Sequence, residues 1–195
     1  MQRRKFVLTA ASAVAAAGLT LTGCSVTPPG GNSPHTDVEK RRSIDANVDA
    51  TLAKLYSTIR GSHELVAKAH GVLVFPSVLQ AGFVVGGQYG EGALRVGGRS
   101  VGYFSTVSGS FGFQAGAQSK AVIFLFMTQE ALDHFRATNG WSAGADASVA
   151  VVKVGANGDI DTTTAVAPVQ VIVMTNAGLM GDVSIQGTKV SRLDI

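Results

Sequence analysis

The chain has 195 residues, of which 46% are hydrophobic and 15% charged, enough for one domain with a proper core. Its formal net charge of +3 belongs to the first 23 residues: sixteen basic residues become thirteen once Arg3, Arg4 and Lys5 are set aside, equal to the thirteen acidic ones. A neutral body gives no electrostatic reason for nucleic-acid binding, and a single cysteine excludes an internal disulfide.

Residues 1–23 divide as an export signal does. Arg3, Arg4 and Lys5 form a positive start, Phe6 to Leu21 a mostly apolar stretch without charge, and Gly23 a small residue before Cys24. The apolar stretch is short for a spanning helix. Leu21-Thr22-Gly23-Cys24 resembles the lipobox of bacterial lipoproteins, which implies cleavage before Cys24 and lipid attachment at that cysteine. Arg3-Arg4-Lys5-Phe6-Val7 resembles a twin-arginine signal, with Sec export as the alternative. Ser25, which is not aspartate, implies the outer membrane by the enteric sorting rule. Residues 24–36, with Pro28, Pro29, Gly30, Gly31 and Pro34, read as the lipidated cysteine and a flexible tether.

The folded domain is expected over 37–195. Asp37 suits an N-cap, and Ile44, Val48, Leu52, Leu55 and Ile59 recur on one face of an amphipathic helix. A second short helix can begin at Ser62 and stop at Gly71. Strands follow at Val72–Phe75, Phe83–Tyr89, Ala93–Val96, Ser100–Thr106, Ser110–Ala117 and Ala121–Met127, with Gly97-Gly98 as a tight hairpin turn. A helix capped by Thr128 runs to about Ala137. Strands resume at Ala147–Val154, then, past an Asn157-Gly158 hairpin signal, at Asp161–Ala165, Val169–Thr175, Val183–Gln186 and Lys189–Leu193. Short strands joined by tight turns predict an α+β domain. Its sheet is mainly antiparallel, glycine-rich and curled or partly closed as a half-barrel, with the amphipathic helix and two shorter ones.

Few motifs point to catalysis. Gly140-Trp141-Ser142-Ala143-Gly144 spells G-x-S-x-G, but a nucleophile elbow needs a strand before the serine, a helix after it and a later histidine. Here a helix precedes, a strand follows, and His35, His63, His70 and His134 all lie upstream. The eleven glycines between Gly82 and Gly116 lack the strand-to-helix setting and the Gly-Lys-Ser/Thr ending of a phosphate loop, so they read as bulges, curvature or close backbone packing. His63 and His70 share no helix face with a carboxylate, so no metal, cofactor or catalytic residue is expected.

Four segments carry a family resemblance: AHGVLVFPSVLQAGFVVGGQYGEGAL (69–94), VGYFSTVSGSFGFQAGAQSKAVIFLFMTQEAL (101–132), GADASVAVV (144–152) and GLMGDVSIQGTKV (178–190). From about Asn47 to Leu193 the chain resembles the SYLF lipid-binding family, also described as Ysc84-like actin-binding, and most its bacterial secreted branch. The resemblance implies a non-catalytic module for phosphoinositide or other anionic phospholipid, with actin as a partner by resemblance alone. His70 and Gln80 stand where eukaryotic members tend to have lysine.

The leading reading is therefore a lipid-anchored lipoprotein of the cell envelope. Lys40, Arg41, Arg42, Lys54 and Lys68 are the candidates for lipid head-group contact; Ile44, Val48 and Leu52 lie either in the core or in the membrane interface. The alternatives are a structural or protein-interaction domain that takes up a partner strand at a sheet edge, and an undetected hydrolase.

Overall fold

The computed structural model describes residues 34–82, 85–111, 118–152, 160, 167–175, 178, 179, 185 and 187–195. Helix α1 spans Pro34–Thr58, starting three residues before Asp37, which sits in its first turn. Ile44, Val48 and Leu55 of α1 and Ile59 just past its end are buried on one side, and Leu52 packs against them half-buried. Burying such a side chain contributes about 1.5–3 kcal/mol, so these four hold α1 to the sheet far more firmly than helix propensity does. Gly61 turns the chain at φ 78° into α2, Ser62–Lys68. Ser62 opens that helix but does not cap it. Its buried hydroxyl reaches back to the carbonyls of Leu55 at 3.2 Å and Ile59 at 2.7 Å, taking up acceptors at the end of α1.

Four long strands follow: β1 (Gly71–Gly82), β2 (Val85–Val96), β3 (Arg99–Phe111) and β4 (Gln118–Phe126). Then come α3 (Gln129–Ala137), β5 (Trp141–Ser142), β6 (Val149–Val151), β7 (Val169–Thr175), β8 (Gly178–Leu179) and β9 (Lys189–Arg192). One sheet runs in the order β5-β9-β3-β2-β1-β4-β7-β6, and β8 pairs with β7. Every pairing is antiparallel except β6 with β7. The result is the expected α+β architecture, a curled half-barrel sheet with three helices.

The central strands are covered on both faces. Residues 71–75, 121–126 and 169–174 are buried without interruption, which is why they read as apolar runs and not as alternation. Leu73, Phe75, Phe124 and Phe126 face one cluster with Phe135 of α3 and Trp141. Val72, Val74, Ile123 and Leu125 face the other, beneath α1. Pro76 has no N–H for a ladder, and the β1 register shifts around it against both neighbours, a bulge that bends the sheet.

The expected strands Phe83–Tyr89 and Ala93–Val96 are one strand, β2, described from Val85. Ser100–Thr106 continues to Phe111 as β3, taking in the first two residues of the expected Ser110–Ala117 strand, the rest of which lies outside the described residues. Gly90 and Gly92 do not break β2; they let it approach β1, since a Cβ at Gly92 would lie 2.0 Å from the Val74 carbonyl oxygen. Gly97 and Gly98 form the expected turn at φ 56° and 78°, closed by the Val96 and Arg99 pair. Thr128 caps α3 as expected, accepting the Ala131 N–H at 3.2 Å. The strand expected over Ala147–Val154 is only Val149–Val151 among the described residues. The Asn157-Gly158 turn, the Asp161–Ala165 strand and most of Val183–Gln186 lie outside the described residues, as do the signal, Cys24 and residues 25–33, whereas the last three residues of the expected tether, Pro34 to Thr36, are the start of α1.

Candidate functional site

The basic start of α1 is built into the fold more than its sequence suggests. Lys40 Nζ lies 2.9 Å from Glu91 Oε1 on β2, and the same oxygen accepts the Tyr89 hydroxyl at 2.7 Å. Arg41 donates to the main-chain oxygen of Ile195. Arg42 is exposed, as are Lys54 further along α1 and Lys68 at the end of α2. The five sequence candidates thus divide into two that tie α1 to the rest of the fold and three on the outside. Ile44 and Val48 lie in the core, and Leu52 packs against it, so none is available for insertion into an interface. Arg60, exposed between the two helices, adds a cation that the sequence pattern did not single out.

Beside this start of α1 the sheet carries an exposed apolar row. Leu79 pairs with Tyr89 and Tyr89 with Val107, so three strands place these side chains in one line. They are 55%, 47% and 53% exposed. Successive residues of a strand alternate faces, and Glu91, two along from Tyr89, meets Lys40 of α1; the row therefore stands on the α1 face. Exposed Lys189 is the register partner of Val107 at the end of the line. Val38, on the first turns of α1, is also exposed. Burial, the hydrogen bond to Glu91 and that carboxylate's charge push Tyr89 up to about 12. For Glu91 itself burial pushes upward, but the hydrogen bonds from Lys40 and Tyr89 and the Lys40 charge outweigh it and hold the carboxyl below its usual value.

At the hairpin end the same face is clamped. Arg95 Nη2 lies 2.7 Å from Asp49 Oδ1 and 3.6 Å from Asp45 Oδ1. Asp45 in turn accepts from Ser100 Oγ at 2.5 Å and from the Tyr103 hydroxyl at 2.9 Å. Burial first, then the bond to Asp45, raises the Tyr103 pKa. A groove of about 270 Å³ runs past Arg95, Asp49, Leu52, Tyr56, Val66 and His70. Two carboxylates already answer the single guanidinium, which leaves little positive charge to attract an anion.

Among the described residues the G-x-S-x-G and histidine motifs are taken up in turns and packing. The Ser142 N–H is held by Asp146 Oδ2 at 2.6 Å in a tight turn, with α3 before it and β6 after it, the reverse of a nucleophile elbow. His63 packs edge-on against Tyr56, with ring centroids 4.9 Å apart. Among the described residues no group of three or more His, Cys, Asp or Glu could hold a metal, and no helix is long and apolar enough to cross a membrane.

Comparison with known families gives a match over residues 107–194 to Ysc84, described as "Las17-binding protein actin regulator". The matched stretch runs from the middle of β3 through β9, whereas the resemblance read from the sequence starts near Asn47. No curated protein matches the chain.

Proposed function

From the premise that residues 107–194 match the Ysc84 (SYLF) family, we propose that this chain is a lipid-anchored envelope protein that binds anionic phospholipid through the α1 face of its sheet. The observation that carries the proposal is the exposed Leu79–Tyr89–Val107 row beside the basic start of α1. A tyrosine with an apolar ring and a polar tip suits the boundary between lipid and water. Arg42, Lys54 and Lys68 supply a screened attraction of about 1 kcal/mol each near an anionic surface, and the row adds contact that does not depend on salt.

The anchor is lipid on Cys24, following an export signal that leaves by the twin-arginine or Sec route, and the destination is the outer membrane. Two or three acyl chains at about 0.8 kcal/mol per buried methylene hold firmly. With α1 beginning at Pro34, a random-coil tether of about nine residues reaches roughly 16 Å, so the domain works within touching distance of its own membrane. The ligand class is anionic phospholipid, phosphoinositide included. The actin regulation named for the family stays with that description. Strand addition is the weaker reading, because among the described residues the sheet path ends on β5 and β6, which offer two and three residues.

Co-sedimentation of the chain with anionic vesicles tests the role of the row. Leu79→Ser with Val107→Ser should lower binding by about tenfold and leave the circular dichroism spectrum unchanged, since both positions are exposed. Undiminished binding in the folded double variant would remove the row from the account.

A further inference from the structure

On the opposite face of the sheet, the core that contains Phe75 and Trp141 ends in a polar line. Lys120 pairs with Val78, Val78 with Gly90 and Gly90 with Thr106, so four strands carry the line from β4 to β3. Ser108 follows two residues after Thr106 on the same face, and Thr188 closes the line from the segment leading into β9. Lys120, Thr106, Ser108 and Thr188 line one cleft of about 10 Å³. That is room for about one water-sized group.

Of the polar side chains lining this cleft, Gln88 donates its amide to Gln80 at 3.3 Å. Among the described residues neither the Lys120 ammonium nor the hydroxyls of Thr106, Ser108 and Thr188 have a hydrogen-bond or ion-pair partner. Thr106 and Thr188 are nevertheless only 3% and 7% exposed. Neither threonine hydroxyl is sealed off without a partner, so both open on the cleft and can donate to a group bound there, and no carboxylate lines the cleft among the described residues. Four potential donors and one positive charge around a space of one atom's size match a single oxygen of an anion. The donors come from two strands and a loop around a space of one oxygen, a charged set that suits an oxyanion, phosphate among them.

We infer that the cleft around Lys120 is an oxyanion site that takes one phosphate oxygen, with Lys120 as the counter-charge and the hydroxyls of Thr106, Ser108 and Thr188 as donors. The rest of the phosphate stands outside the cleft. Burial already lowers the Lys120 pKa, and a bound phosphate supplies the charge partner that solvent no longer does. The site lies on the face away from α1 and does not depend on the membrane reading above.

The test is a titration of the ¹⁵N-labelled chain with inorganic phosphate at constant ionic strength, with chloride as the control anion. Saturable shifts should be confined to the amides of Thr106, Ser108, Lys120 and Thr188. They should vanish in Lys120→Met and need about tenfold more phosphate in the isosteric Thr106→Val, because hydrogen bonds to charged groups are the stronger ones. A second arm uses vesicles bearing phosphatidate, a phosphomonoester head group. A loss of about tenfold in Lys120→Met would identify a lipid head group as the source of the phosphate, and equal vesicle binding with lost phosphate shifts would identify a soluble phosphate. Absence of saturable shifts in the parent chain, or shifts unchanged in both folded variants, would overturn the site. Neither of those results would touch the row on the other face.

Discussion

Arg95 Nη2 lies 2.7 Å from Asp49 Oδ1, tying the end of β2 to the middle of α1 across 46 residues of sequence. Its neighbour Asp45 takes two further bonds from Ser100 and Tyr103, so one turn of α1 is fastened to both β2 and β3.

Asp45→Ala removes the acceptor for both. The expected loss is about 2 kcal/mol, because hydrogen bonds to a charged acceptor exceed neutral ones while partial exposure weakens this one. In a chain of this size that lowers the melting temperature by roughly 6 °C. Thermal unfolding followed by circular dichroism measures it. A change below about 0.5 kcal/mol, the size of an ordinary surface substitution, would show that the Asp45 bonds add little to the apolar face in holding α1.

The Lys40, Glu91 and Tyr89 group predicts a pH dependence at both ends. The Glu91 carboxyl is held below its usual 4.5, so its contribution is complete above that value and fades as pH falls through the lower folded one. Tyr89 is raised from 10.0 to about 12, so its contribution is complete below pH 10 and fades as pH climbs through about 12. Urea unfolding across the acid range should give a steeper decline for the parent than for Glu91→Gln. In alkali, phenolate absorbance should appear above the usual tyrosine range and shift downward in the same variant. Parallel acid profiles for the two proteins would contradict the ion pair.

Cys24→Ala tests the anchor. Metabolic labelling with a clickable fatty acid should mark the parent chain and leave the variant unmarked at its precursor size. Equal label in both would end the lipoprotein reading.

Much of this fold was legible in the chain. The helical face of Ile44, Val48, Leu55 and Ile59 needs only local spacing, and Gly97-Gly98 carries its own turn geometry. Gly90 and Gly92 misled because glycine marks both a break and a close approach; only the 2.0 Å between a Cβ at Gly92 and the Val74 oxygen tells the second from the first. The site was less legible still. The charge of Lys40 is visible, but its partner Glu91 stands 51 residues away. Leu79, Tyr89 and Val107 share no local pattern, and only strand register lines them up, as it does Lys120 with Thr106 on the other face.

The central claim is that a face with exposed cations and a short apolar row meets anionic lipid. Binding of the chain to anionic vesicles, measured by co-sedimentation while salt is raised from about 50 to 500 mM, tests it most directly when set beside the triple variant Arg42→Gln, Lys54→Gln and Lys68→Gln. Parent binding should exceed that to neutral vesicles and weaken with salt, and the variant should start about a hundredfold lower with little salt dependence left, at about 1 kcal/mol for each charge removed. A folded variant that binds anionic vesicles as tightly as the parent, with the same salt dependence, would contradict the claim.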